Sequence, residues 1–115
     1  MANAPKPVLL NAFSISMIQL PATVRFEEAS LEEVKELIAN GYESGVGHQS
    51  TAQVLSTLLG VQVPANRVQV TLQRGQIGIV FQLMVRLQEG QVLSSEEVQR
   101  LYQEGKAKFV KVVVE

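Results

Sequence analysis

The sequence contains no cysteine, no aspartate and no tryptophan, and it has a single histidine. The lack of cysteine excludes disulfide bonds, thiolate metal sites and a cysteine nucleophile. The lack of aspartate removes the Ser-His-Asp triad, and no G-x-S-x-G, Walker or dinucleotide-binding glycine motif is present. Metal-dependent nucleases need several converging carboxylates, whereas the glutamates here lie mostly at the spacing of exposed helix faces. We therefore expect any catalysis to proceed without a metal ion or a cofactor.

Long apolar runs are also scarce. The most apolar stretch, 77–87, is interrupted by Gln82 and reaches about half of the ~20 residues that a membrane-spanning helix needs. The start of the chain lacks a basic segment followed by an apolar core, which is the pattern of a secretory signal. These features predict no contact with a membrane and a cytoplasmic location, in the host cytoplasm if the source is a virus.

The composition favours one folded domain. With 115 residues, 46% of them hydrophobic, the chain can bury one core and has little room for a second. We expect a single domain over residues 1–115, in which residues 1–6 form a loosely packed N-terminal segment. The net charge of -1 gives no general basic field for nucleic acid. From Val46 onward, however, seven basic residues stand against five acidic ones, so this part is the better candidate for binding an anion.

Hydrophobic periodicity predicts five strands and three helices. The strands are expected at 7–13, 23–27, 66–72, 77–87 and 109–114. The helices are expected, from their capping residues and apolar spacing, at 30–41, 50–60 and 94–105. This order predicts an α/β fold with a mixed sheet of about five strands flanked by helices.

His48 is the residue whose position most suggests chemistry. It follows Gly47 in a glycine-containing loop at the predicted start of the second helix. Backbone N–H groups and the positive end of the helix dipole make such a terminus suitable for a phosphate, and glycine lets the phosphate approach closely. An imidazole there could donate a proton to a leaving oxygen. Judged alone, a single histidine is more often an ordinary surface or hydrogen-bonded residue.

Five further polar residues lie where a predicted strand begins, ends or turns: Asn11, Ser14, Arg67, Arg86 and Glu89. Asn11 and Ser14 follow the first strand, where α/β proteins commonly build ligand crevices, yet such residues also form ordinary turns. Arg67 lies on the polar face of its strand, either as a phosphate ligand or as a solvated side chain. Arg86 lies at the end of the long buried strand, and Glu89 lies in the turn that follows. These positions could bring both residues to one site. Taken singly, each fits a solvated arginine or an ordinary turn residue better.

Four segments together resemble one family, the viral ring nucleases or type III anti-CRISPR proteins of archaeal viruses and bacteriophages, which have cellular relatives. The segments are LNAFSISM at 10–17, GHQST at 47–51, NRV at 66–68 and RLQEGQVLS at 86–94. They occur in the family's order across nearly the whole chain, whereas the segment 23–44 adds no support. The resemblance implies a homodimer that encloses cyclic tetra-adenylate and cleaves it to linear di-adenylate, which ends the signal that activates type III CRISPR defence.

The resemblance also implies a role for each residue that matches a motif. His48 is similar to the family's general acid, Arg86 to its arginine for the phosphate and the transition state, and Glu89 to the carboxylate near the histidine. Asn11 and Ser14 correspond to loop residues near the scissile phosphate. The implied catalytic set is thus His48, Arg86, Glu89 and Ser14. The implied ligand-binding set, in which Arg67 and Gln82 are the weaker matches, is Asn11, Arg67, Gln82, Gly47, Gln49 and Ser50.

Two glutamines depart from the family pattern. Gln49 stands where viral members carry an acidic residue, and Gln88 stands where another glutamate is usual. Both departures bear on the affinity for the ligand rather than on the chemistry.

The residues and the resemblance together suggest an internal transesterification, in which a ribose 2′-hydroxyl attacks the adjacent phosphorus and the 5′-oxygen departs. This reaction needs neither water nor a metal, and the implied enzyme has no stable DNA partner. Two other classes stay open at this point. One is a small α/β regulator that binds nucleic acid, which the near-neutral charge disfavours. The other is a structural protein in which His48 is dispensable.

Overall fold

The computed structural model describes residues 6–85 and 92–115, and in that part of the chain it contains one five-stranded sheet and three α-helices. The strands are β1 (Val8–Leu10), β2 (Val24–Ala29), β3 (Glu43–Gly45), β4 (Ile77–Leu83) and β5 (Ala107–Val114). The helices are α1 (Leu31–Ile38), α2 (Gln49–Leu59) and α3 (Ser95–Gln103). The predicted α/β class with a mixed five-stranded sheet is therefore confirmed. None of these helices is long and apolar enough to cross a membrane.

Strand β1 lies inside the sheet, whose order is β2-β5-β4-β1-β3. It pairs in parallel with β3 and with β4, so that Leu10 stands opposite Gly45 on one side and Val80 on the other. The β4-β5 and β5-β2 pairs are antiparallel. All residues of β1 are buried, as expected for a parallel strand that is covered on both faces. Because the three parallel strands run the same way, their carboxyl ends meet at one edge of the sheet.

The three helices pack on one face of this sheet. Leu9, Ile79, Phe81 and Phe109 face them, and each of these side chains is at most 1% exposed. The ring centroids of Phe81 and Phe109 lie 5.2 Å apart. This face therefore holds the main hydrophobic core.

The opposite face of the sheet is covered by segments that lie outside the strands and the α-helices. Val70 and Leu72, from the segment 66–72, pack there in a second apolar cluster that includes Leu10. A Cβ atom at Gly45 would lie 2.7 Å from Cγ2 of Val70. Glycine at the end of β3 thus allows the segment to approach the sheet closely.

The prediction of a strand at 66–72 is wrong. The segment belongs to no strand, because its backbone bonds to residues outside the sheet: the Asn66 amide donates to the Val46 carbonyl at 2.7 Å, and the Leu72 amide donates to the Met17 carbonyl at 2.7 Å. Packing of alternate side chains on a sheet face has the same two-residue period as strand pairing. The fifth strand is β3 instead, a short segment of sequence ESG without apolar alternation.

Side-chain caps fix the starts of all three helices. The Ser30 hydroxyl accepts a hydrogen bond from the Glu33 amide at 3.1 Å, which begins α1. Ser94 and Glu97 form a reciprocal capping box at α3. The hydrogen bond from the Ser94 backbone amide, followed by that from its hydroxyl, lowers the pKa of the Glu97 carboxyl. The cap of α2 is His48, which belongs to the candidate site.

We expect Ile79→Ala to lower the free energy of unfolding by about 2–5 kcal/mol, because the Ile79 side chain is fully buried. The matched change Ile15→Ala removes a side chain that is 67% exposed, and it should alter stability by less than about 0.5 kcal/mol. Urea unfolding followed by circular dichroism measures both values. Equal losses in the two variants would contradict this placement of the core.

Candidate functional site

The candidate site begins where the carboxyl ends of β1 and β3 meet. Asn11 directly follows β1, and the buried Val46 separates β3 from Gly47 and His48. The side-chain Oδ1 of Asn11 accepts a hydrogen bond from the Gly47 amide, with 3.2 Å between the two atoms. This bond joins two segments that the sequence singled out, and it fixes the loop that leads into α2.

His48 is the N-cap of α2. Its Nδ1 accepts a hydrogen bond from the Thr51 amide at 3.3 Å and lies 3.1 Å from the Thr51 hydroxyl oxygen. Because an amide N–H can only donate, Nδ1 carries no proton in this arrangement, and the neutral ring has its proton on Nε2. No hydrogen bond from residues 6–85 or 92–115 reaches Nε2. The geometry therefore leaves that N–H for a ligand.

The start of α2 is suited to an anion. The first-turn amides and the positive end of the helix dipole attract negative charge, and α2 is 11 residues long. Gln49 is exposed at this end, whereas Ser50 is buried. A Cβ atom at Gly47 would lie 3.7 Å from the Cα, Cβ and Cγ atoms of Arg67. Arg67 therefore lies directly beside the loop that carries His48.

A set of hydrogen bonds holds the segment with Arg67 against this loop. The backbone amide of Asn66 bonds to Val46, as described above, and its side-chain Nδ2 donates to the Ser44 carbonyl at 2.8 Å. The Ser44 hydroxyl, which is buried, donates to the Pro64 carbonyl at 2.6 Å. Sequence reasoning missed the positioning roles of Ser44 and Asn66, because Ser44 lies in β3, a strand without an apolar pattern, and the partners of Asn66 lie in or beside that strand.

A cavity of about 360 Å³ adjoins the ends of β1 and β4. Asn11 and Gln82 both line it, so two expected ligand-binding residues share one cavity. The rings of Phe13 and Phe26 also line it, with their centroids 5.5 Å apart and their planes at 87°. Amide groups and aromatic rings in one cavity suit a nucleobase, which stacks on rings and bonds through its polar edge. Phe13 lies in the segment 10–17 but had no predicted role, and Phe26 lies in none of the four segments.

Ser14 has a local role in the structure. Its hydroxyl accepts a hydrogen bond from the Ser16 amide at 3.3 Å and lies 3.0 Å from the Ser16 hydroxyl, at the start of the short 3-10 turn Ile15–Met17. Within the described ranges, no hydrogen bond joins Ser14 to Asn11 or His48. The assignment of Ser14 to the catalytic set stays a prediction that rests on the resemblance.

Residues 7–108 match the STIV B116-like family. The chain belongs to this family. Its fold is similar to that of B116 of Sulfolobus turreted icosahedral virus, with a TM-score of 0.83 and 34% identity, over 95% of this chain and 99% of that one. The five-stranded sheet with its three helices is thus the fold of a STIV B116-like protein.

Two viral proteins of known sequence are also similar to this STIV B116-like chain. It is 40% identical over 88 residues to the uncharacterized protein ORF117 of Acidianus two-tailed virus, which covers 74% of this chain and 75% of that protein. It is 37% identical over 75 residues to the uncharacterized protein 26 of Sulfolobus islandicus filamentous virus, and the match spans 64% of each length. The relatives of the chain therefore include proteins of archaeal viruses.

Arg86 and Glu89, which the resemblance places in the catalytic set, lie outside the residues that the structure describes, as does Gln88. Within the described part of this STIV B116-like chain, no group of three His, Cys, Asp or Glu side chains could hold a metal ion. The site that the structure does describe thus consists of His48, Asn11, the start of α2 and the neighbouring Arg67.

We expect His48→Ala to lower the free energy of unfolding by about 1 kcal/mol, because α2 loses the acceptor for its Thr51 amide. The matched change His48→Asn supplies another side-chain acceptor and should stay within about 0.5 kcal/mol of the wild type. Urea unfolding measures both variants. If alanine and asparagine at this position gave the same stability, the capping role of His48 would be refuted.

Proposed function

We propose that the chain is a metal-independent ring nuclease that cleaves cyclic tetra-adenylate to linear di-adenylate and so switches off type III CRISPR signalling. The observation that carries the proposal is the position of His48 at the amino end of α2, beside a loop that Asn11 holds through Gly47. This arrangement supports the binding of a phosphodiester with a proton donor next to it. The resemblance of the sequence motifs to the ring nucleases supplies the identity of the substrate.

The proposed reaction is an internal transesterification. A ribose 2′-hydroxyl releases its proton to solvent as its oxygen bonds to the adjacent phosphorus, and the bond from phosphorus to the 5′-oxygen breaks. The product ends carry a 2′,3′-cyclic phosphate and a 5′-hydroxyl. His48 in its imidazolium form gives the proton on Nε2 to the departing 5′-oxygen and keeps the proton on Nδ1; Nε2 is the ring nitrogen that the helix cap does not use. General-acid catalysis of this kind contributes about 10²- to 10⁴-fold.

Positive charge around the phosphate supports the remaining part of the mechanism. The amides at the start of α2 and Arg67 beside Gly47 stabilise the charge that gathers on the phosphoryl oxygens. By the resemblance, Arg86 adds to this stabilisation and Glu89 favours the imidazolium form of His48. The motif set contains no dedicated general base, so alignment of the 2′-hydroxyl with the leaving group supplies much of the acceleration.

The proposed enzyme acts as a homodimer. A two-fold axis between two copies matches the symmetry of the ring and places one His48 at each of two opposite phosphates. Two cuts then release two identical di-adenylates. The viral origin of several relatives favours a role in suppressing the defence of a host.

The wild-type protein should convert labelled cyclic tetra-adenylate to di-adenylate in excess chelator, because no step of the proposal uses a metal. His48→Asn should cut at less than about one-hundredth of the wild-type rate, because it keeps the helix cap but its amide protons are not acidic enough to transfer. Chromatography of the products over time measures both rates.

If cyclic tetra-adenylate stayed intact after incubation with the wild type, the nuclease proposal would be refuted. A wild-type rate in His48→Asn would instead remove His48 from the acid role. If the ring survives and the protein binds long nucleic acid with a steep dependence on salt, the regulator class becomes the better assignment.

Gln82→Leu should weaken binding of the ring about fivefold to tenfold, because the cavity beside Asn11 loses a polar group that bonds to a base. Titration calorimetry in a His48→Asn background measures the affinity without turnover. Gln103→Leu, the same change at an exposed position at the end of α3, is the control and should bind normally. Equal affinity in the two leucine variants would exclude Gln82 from the binding site.

A further inference from the structure

Two groups of Thr51, its backbone amide and its hydroxyl, lie next to the ring of His48. Its amide donates a hydrogen bond to Nδ1 at 3.3 Å, and its hydroxyl oxygen lies 3.1 Å from the same nitrogen. Both residues are half-buried. The amide can only donate, whereas the hydroxyl can donate or accept. The amide can therefore bond only a ring whose Nδ1 has no proton, whereas the hydroxyl can also accept a hydrogen bond from a protonated Nδ1.

Protonation of His48 creates a conflict with the helix cap. The imidazolium carries a hydrogen on both ring nitrogens, so Nδ1 can no longer accept from the Thr51 amide, and two N–H groups face each other. In the described part of the chain, the acceptor within hydrogen-bond distance of Nδ1 is the Thr51 hydroxyl oxygen. The Nδ1–H bond must then point toward the hydroxyl oxygen rather than toward the amide.

We propose that Thr51 is a positioning residue that holds both forms of His48, its amide bonding the neutral ring and its hydroxyl accepting from the imidazolium. The ring is then held whether or not Nδ1 carries a proton, and when the imidazolium gives up its Nε2 proton, Nδ1–H keeps its hydrogen bond to the Thr51 hydroxyl. The importance of this exchange for catalysis rests on the proposed function, whereas the exchange itself is a property of the folded protein without a ligand.

Two substitutions isolate the hydroxyl. Thr51→Val keeps the shape of the side chain and the amide but removes the acceptor, and Thr51→Ser keeps the acceptor. Arg67, whose Cα, Cβ and Cγ atoms lie beside Gly47, and the dipole of α2 are unchanged in all three proteins. A difference between the variants therefore reports the hydroxyl.

Nitrogen NMR reads the ring directly, because the chain has a single histidine and gives one set of imidazole signals. At the pH where the wild-type ring is half protonated, we expect the ratio of imidazolium to neutral ring to be about fivefold to tenfold lower in Thr51→Val. Thr51→Ser should match the wild type. Equal ratios in the valine and serine variants would overturn the proposal.

The wild type gives a second measurement that does not depend on the folding of a variant. At low pH, the Nδ1 proton of the imidazolium should exchange slowly with water, because it is hydrogen-bonded to the Thr51 hydroxyl. Rapid exchange of this proton in the folded protein would also overturn the proposal.

Cleavage of cyclic tetra-adenylate separates this proposal from the proposed function. If the wild type cuts the ring, Thr51→Val should lose about fivefold or more in kcat with little change in KM, and Thr51→Ser should restore kcat. An unchanged kcat in the valine variant would refute the positioning role. If the wild type does not cut the ring, the proposed function fails, and the NMR measurements alone decide whether Thr51 exchanges its partners.

Discussion

The parallel pairing of β1 with β3 and β4 is the constraint on which the rest of the structure depends. Because Leu10 stands opposite both Gly45 and Val80, the next residue, Asn11, reaches the Gly47 amide on one side and the cavity at the end of β4 on the other. A shift of one residue in this register would turn the side chains of β1 to the opposite faces. The same shift would both expose the core residues of β1 and separate Asn11 from Gly47.

Much of the fold could be predicted because the signals are local. Serine caps and apolar spacing depend on neighbours in the sequence, so they placed the three helices, and the apolar runs revealed β4 and β5. The strand β3 and the segment 66–72 could not be told apart in this way. Pairing with the buried β1 stabilises β3, and Val70 and Leu72 of the segment 66–72 pack on the sheet face. Both depend on contacts that are distant in sequence.

In the candidate site, too, the residues with local signals could be predicted, whereas the contacts between distant segments could not. A glycine and a histidine before an amphipathic helix are visible in the sequence, and Gly47 and His48 were found on that basis. The bond to Asn11 and the anchoring of Asn66 by Ser44 depend on β3, so only the structure reveals how the loop is held. The roles of Ser14, Arg86 and Glu89 come from the resemblance to the ring nucleases, and no local physical signal in the sequence fixes them.

One side chain, His48, both begins a helix and occupies the centre of the candidate site. Selection for a stable fold therefore acts on position 48 even when selection for chemistry ends. Under the proposed function, a descendant that abandoned cleavage would retain a good helix cap by exchanging this histidine for asparagine, serine or threonine. Such a protein would still have its cavity and helix terminus, and by the same proposal it would sequester the cyclic nucleotide without destroying it.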